Sequence, residues 1–223
     1  MPDSVQHARS PKQARSRESF ERVIEATLSL LGERSYEQLT LAEISQRAEA
    51  SIGSIYGRVK GKEELLRAAQ VIFFERSAEE YGALIEQIRS GPPELALVVP
   101  ALVKGLGERL RQNAGPLRAF MNRAPLDPVI QAAGKAFYAQ HHGALIRLVV
   151  DLKDQIAHPE PERAAEAALA TVFAAQARYL GLDSAAPSGE GDWTQILDDL
   201  ADMMLAFLLF TPRRAKPTRR TRK

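Results

Sequence analysis

Residues 39–66 read LTLAEISQRAEASIGSIYGRVKGKEELL. Thr40 with Glu43 three positions on has the pattern of a capping box, in which each side chain satisfies a free backbone N–H and a helix opens. Leu41, Ile44 and Ala48 are the apolar face of that short helix. Glu49-Ala50-Ser51 then makes a turn, with glutamate where left-handed backbone angles favour glycine, at the cost of a modest strain. Ser51 can cap a third helix that turns Ile52, Ile55 and Val59 inward and ends at Gly61. A long helix starts at Lys62 and runs to about Arg89. Two short helices joined by a three-residue turn describe a helix-turn-helix, with small Ser45 where the helices approach closely.

The outward face of the third helix carries the functional signal. Steps of 100° put Gly53, Ser54, Gly57 and Arg58 opposite the apolar stripe, and none of them is acidic. Small side chains let a helix lie close to the floor of a major groove, and Arg58 can reach a guanine edge or a phosphate. Two glycines in one short helix cost about 1 kcal/mol each against alanine, so they call for a reason. Lys62 sits in the first turn of the long helix, where the macrodipole prefers Glu63 and Glu64; a phosphate docked beside it would make sense of the lysine. Tyr56, at the border of the buried stripe, can pack its ring and offer its hydroxyl to another phosphate, and Thr40 can do the same with its hydroxyl.

These residues resemble the N-terminal domain of TetR-family transcriptional regulators. In that family a Thr opens the second helix, a Ser-x-Gly-x-x-Tyr run forms the recognition helix and Lys-Glu-x-Leu starts the fourth. Here those are Thr40, the run from Ser51 to Tyr56, and Lys62 to Leu65. The resemblance covers roughly residues 15–70. It implies DNA contacts from Thr40, Ser51, Gly53, Ser54, Tyr56, Gly57, Arg58 and Lys62, a homodimer on a palindromic operator, and a repressor released by a small effector.

Outward from this segment, helical periodicity continues to the C-terminus and no run alternates like a strand. Phe20, Val23, Ile24, Thr27, Leu28 and Leu31 mark a first helix that Ser35-Tyr36 ends. Later helices are expected at residues 94–113, 116–123, 127–157, 162–180 and 193–210, so the reading is all-α with about nine helices. It divides into a basic arm (1–14), the helix-turn-helix domain (15–70), a ligand-binding and dimerisation body (71–212) and a disordered basic tail (213–223).

Composition excludes several classes. The chain has 223 residues, 45% of them hydrophobic and 26% charged, and no cysteine. That is enough apolar material for a folded core, and it rules out disulfides, thiolate metal sites and a cysteine nucleophile. The longest apolar runs, residues 95–103 and 203–210, fall far short of the roughly 20 that span a bilayer. With no signal-peptide pattern at the start, the expected location is the cytoplasm. Net charge is +2, but it is uneven: +1 over residues 1–67, −6 over 68–212 and +7 beyond. Any contact with nucleic acid is therefore local.

His141-His142 is the only histidine pair, and neighbours 100° apart on a helix serve one metal poorly, so core or pocket lining is the better reading. Asp198, Asp199 and Asp202 lack a calcium-type loop. No phosphate-binding loop, nucleophile elbow or dinucleotide fingerprint is present, and neither an enzyme, a cofactor nor a metal is expected. Phe73, Phe74, Phe120, Met121, Phe137, His141, Phe173 and Tyr179 supply large side chains from different helices. An effector pocket would draw on Phe73, Phe120, Met121, Phe137, His141 and Phe173, with Arg178, Asn122 or Arg123 as orienters. The last helix is apolar around most of its surface, so Ile196, Leu200, Leu205 and Leu208, with Tyr179, are expected at a dimer interface. The expected partners are thus operator DNA, a second copy and an unidentified small molecule, with no membrane. The rival reading is an all-helical ligand-binding or interaction protein that keeps the fold without specific DNA binding.

Overall fold

The computed structural model describes residues 11–182 and 191–211. Among them are nine α-helices and no strand: α1 (Pro11–Glu33), α2 (Leu41–Arg47), α3 (Ile52–Tyr56), α4 (Lys62–Arg89), α5 (Leu95–Gln112), α6 (Ala114–Arg123), α7 (Pro128–Val150), α8 (Pro161–Leu180) and α9 (Trp193–Leu209). Most of residues 1–14 and the tail from 213 lie outside the described residues. No described helix is long and apolar enough to cross a membrane.

Local chemistry sets most helix ends. Thr40 and Glu43 form the expected box, the Thr40 hydroxyl accepting from Glu43 N at 3.2 Å and Thr40 N donating to the Glu43 carboxylate at 3.0 Å. Ser51 caps α3, Asp127 caps α7 with Pro128 at its first position, and Asp192 caps α9. α8 ends at Gly181 in the left-handed conformation, φ 62°. There Arg118 donates to the Gly181 and Leu180 carbonyls at 2.8 and 2.7 Å, placing a cation at the negative end of the helix.

Two boundaries differ from the sequence expectation. α3 stops at Tyr56 rather than Gly61, because the chain tightens there: Gly57, Arg58 and Val59 donate to Gly53, Ile55 and Ile55. α7 stops at Val150 rather than near residue 157, and a 3-10 turn at Lys153–Gln155 follows.

The described residues bury two apolar cores. One joins the C-terminal half of α4 to α5, the end of α7, α8 and α9. The other joins α1, α2, α3 and the start of α4, and it also takes in Ala119 and Phe120 from α6 and Ile130 from α7. The N-terminal core is thus completed by helices far along the chain.

Candidate nucleic-acid interface and effector cavity

The turn between α2 and α3 is held by backbone and side chain together. Glu49 takes φ 49°, the single left-handed non-glycine residue among those described. Ser45 donates through its hydroxyl to the Ala50 carbonyl and accepts from Ala50 N at 3.1 Å, which fixes the angle at which α3 leaves. Ile44 and Ile55 are fully buried beneath the turn. The outer face presents Gly53, Ser54, Tyr56, Gly57 and Arg58, all exposed and none acidic. Arg58 lies with its guanidinium 5.5 Å from the centre of the Phe20 ring of α1, which props it at the edge of this face.

Several expected contacts are placed differently. Tyr56 stands clear of the buried stripe, 55% exposed, and Ile52 is exposed rather than turned inward, because the short α3 buries only Ile55. Ser51 spends its hydroxyl oxygen on Ser54 N at 3.1 Å, and the Thr40 hydroxyl also donates to Glu43 at 2.8 Å, so both act first as caps.

Lys62 is held by the loop before α2. Its ammonium donates to the carbonyls of Tyr36 at 2.9 Å and Leu39 at 3.0 Å, with Glu37 O at 3.5 Å. An ammonium has three protons, and the loop before α2 takes them. Lys62 thus clamps the loop before α2 onto the start of α4 in this structure. It also lies 4.3 Å from the centre of the Tyr36 ring, with Arg123 of α6 at 5.0 Å from the same ring. Arg123 packs on Tyr36 and is not among the residues that line the cavity described below. A further exposed cation beside Arg58 is Lys60, its side chain 92% exposed and 3.9 Å from Glu64; nothing in the helix pattern singled it out.

A second feature lies where the two cores meet. A cavity of about 440 Å³ opens among α4, α5, α6 and α7, with Phe173 of α8 on its wall. Phe73, Phe120 and Ile130 of the N-terminal core line it, and so do Leu106, Leu110 and Leu145 of the other core. Of the seven expected pocket residues, Phe73, Phe120, Met121, Phe137, His141 and Phe173 line this space. Arg178 does not: it is exposed on the outer side of α8, because the α8 residues that turn inward are Gln176 and Ala177. Phe74 stacks on Phe137 at 4.3 Å and Phe137 on His141 at 4.0 Å, a continuous aromatic column between α4 and α7. Sequence reasoning missed Ser77, Tyr81 and Arg109 on the same wall. The four-residue spacing of Phe73, Ser77 and Tyr81 on α4 was the available signal. Burial lowers the affinity of His142 for a proton and pushes the Tyr81 phenol up to about 12. Among the described residues no group of acidic and histidine side chains is placed to hold a metal.

The expected dimer residues are mostly spent inside their own chain. Leu200 and Leu208 are buried in the core, while Ile196 and Leu205 are half-buried against it. Tyr179 packs on Trp193 at 5.0 Å and donates to Gly191 O at 3.0 Å. The exposed apolar residues along the outer side of α9 and just past its end are instead Met203, Phe207 and Phe210, with Phe207 also resting its ring on buried His158 at 5.3 Å.

Comparison with known proteins agrees with this architecture. Residues 23–69 match the family model of bacterial regulatory proteins, tetR family, so the helix-turn-helix segment is of TetR type. A transcriptional regulator from Rhodococcus sp. Rha1 is similar over 87% of this chain and 100% of its own, with 23% identity and a TM-score of 0.63. A putative regulator from Saccharomonospora viridis, solved with choline, is similar over 84% and 96%, with 14% identity and a TM-score of 0.70. The regulator FadR from Bacillus subtilis, solved with stearoyl-CoA, is similar over 84% and 98%, with 13% identity and a TM-score of 0.64. No curated protein matches the chain in sequence. The chain has the fold of a TetR-family transcriptional regulator: an N-terminal helix-turn-helix followed by a larger helical body.

Proposed function

We propose that the protein is a ligand-responsive transcriptional regulator, a repressor that binds a palindromic operator as a homodimer and lets go when a small molecule fills the cavity. Residues 15–70 serve as the DNA-binding unit and residues 71–212 as the effector and dimer body, working in the cytoplasm. Ser54 and Tyr56 of α3 and Arg58 just past its end carry the DNA contacts, with Gly53 and Gly57 allowing close approach. Two such helices related by a two-fold axis reach half-sites about 34–36 Å apart. Met203, Phe207 and Phe210, along the outer side of α9 and just past its end, supply the subunit interface.

The observation that supports this reading best is the position of the cavity. Its walls belong to both cores, so a ligand there changes how α4 and α6 sit between the body and the helix-turn-helix. Release requires only that the ligand bind the DNA-incompetent arrangement more tightly. The test is a gel-shift titration with the DNA flanking the protein's own gene, against a scrambled duplex of equal length. Saturable, sequence-selective retardation is expected. Equal affinity for both duplexes would leave a ligand-binding helical protein with no operator.

A further inference from the structure

We infer that the cavity is built for an aromatic carboxylate, its planar body lying along Phe74, Phe137 and His141 and its anionic group on Arg109 and Tyr81. This deepens the reading of the cavity as the effector site and rests on it. The body of the ligand follows from the walls. Phe74, Phe137 and His141 form a stacked column, and Tyr81 meets both Phe137 and His141, at 6.0 and 5.3 Å. Flat faces of this kind reward a flat partner through offset stacking as well as burial.

The charge of the ligand follows from donors that lack acceptors. Arg109 donates through Nε to Glu80 O at 3.2 Å and through Nη1 to Gly105 O at 3.1 Å, which fixes its guanidinium between α4 and α5. Nη2 has no partner among the described residues, and no carboxylate among them lies within ion-pair distance of Arg109. Burial outweighs the nearby Arg109 cation and raises the Tyr81 phenol to about 12, so at neutral pH it is a donor, as any phenol is. Its hydroxyl also has no partner among the described residues. A carboxylate would accept from both groups in charge-assisted hydrogen bonds.

The other two charges in the lining, Lys135 of α7 and Glu80 of α4, are opposite in sign and both exposed, which leaves half-buried Arg109 to set the sign of the site. His141 holds Nδ1 2.8 Å from Phe137 O; a carbonyl can only accept, so Nδ1 carries the proton. Aromatic walls also suit organic cations, but here the Arg109 guanidinium opposes one.

The test uses the full chain and three probes that share a body and differ in charge: cinnamate, methyl cinnamate and cinnamylammonium, each titrated by calorimetry without DNA. Cinnamate should bind at least about tenfold more tightly than either of the others. Arg109→Gln should abolish that preference and leave the ester unchanged, and Arg109→Lys should restore part of it. Tyr81→Phe should weaken cinnamate several-fold and the ester little, which keeps the test open if Arg109→Gln does not fold. Equal or tighter binding of the ester or the ammonium, a preference that survives both Arg109→Gln and Tyr81→Phe, or no binding of any probe at millimolar concentration would overturn the inference. The gel shift is scored separately. DNA binding with a cavity that prefers cations sinks only the ligand class, and cinnamate binding without operator binding sinks only the regulator.

Discussion

Gly115, in the first turn of α6, lies directly against Gly32, in the last turn of α1. A Cβ placed on Gly115 would come within 2.4 Å of the Gly32 Cα and 2.7 Å of the Leu31 carbonyl oxygen. The obstacle is backbone on both sides, so it cannot rotate away. This contact joins the helix that frames the cavity to the helix that carries the N-terminal core.

Gly115→Ala should therefore force α1 and α6 apart and destabilise the fold by roughly 1–3 kcal/mol, the usual cost of overpacking. Gly82→Ala is the control, because nothing lies within 4 Å of its added methyl and it sits inside α4. It should stabilise by about 0.5–1 kcal/mol through helix propensity. Urea unfolding of both variants measures the difference, and equal effects would mean that the α1–α6 contact yields freely.

Lys62 and Lys60 should behave oppositely. Lys62→Ala removes three donors from the loop carbonyls and should lower stability by about 1–3 kcal/mol, with little change in the salt dependence of DNA binding. Lys60→Ala should leave stability alone. If Lys60 meets one phosphate per subunit, the log–log salt slope should fall by about two for a dimer. Gel shifts at several ionic strengths decide, and a slope change confined to Lys62→Ala would return that residue to the DNA surface.

Acid should unlock α4 from α7. Arg67 of α4 pairs with Asp127 at 2.8 Å, and its hydrogen bond holds the buried Asp127 carboxyl below the usual aspartate range. Asp127 also caps α7 through Val129 N and Ile130 N. A carboxyl with a depressed folded value contributes stability that is complete above the unfolded pKa of about 3.9 and is lost as pH falls through the lower folded value. Asp127→Asn should therefore cost about 1–3 kcal/mol at neutral pH. The gap from the parent protein should narrow toward pH 3 in thermal melts. A gap independent of pH would remove the charge from this explanation.

The subunit interface should fail at the outer face of α9. Met203→Glu with Phe210→Glu places charges on exposed side chains and leaves Leu200, Met204 and Leu208 in their core and Phe207 on His158. The double variant should melt within about 1 kcal/mol of the parent monomer fold, as surface changes usually do, yet sediment as a monomer and lose the operator. Sedimentation velocity tests it, and a dimer that persists places the interface elsewhere.

The sequence by itself determined the helices and the turn. Caps at Thr40, Ser51, Asp127 and Asp192 are local hydrogen-bonding chemistry, and the strained Glu49 and the bare outer face of α3 follow from spacing alone. Wherever one stripe of a helix is apolar, as in α1, the inward phase can be read directly. On α9 it could not be, because that helix is apolar around most of its surface and only contact with α5 and α8 selects Leu197, Leu200, Met204 and Leu208 within that wide face as the buried set. Long cationic side chains were the other blind spot. Lys62, Arg109 and Arg123 can each reach many places from one backbone position. Their partners are the carbonyls of a loop 23–26 residues away, a carbonyl on another helix, and a ring from the loop before α2. Spacing along a helix sets where a side chain starts, whereas the packing of helices against one another sets which acceptors its far end finds.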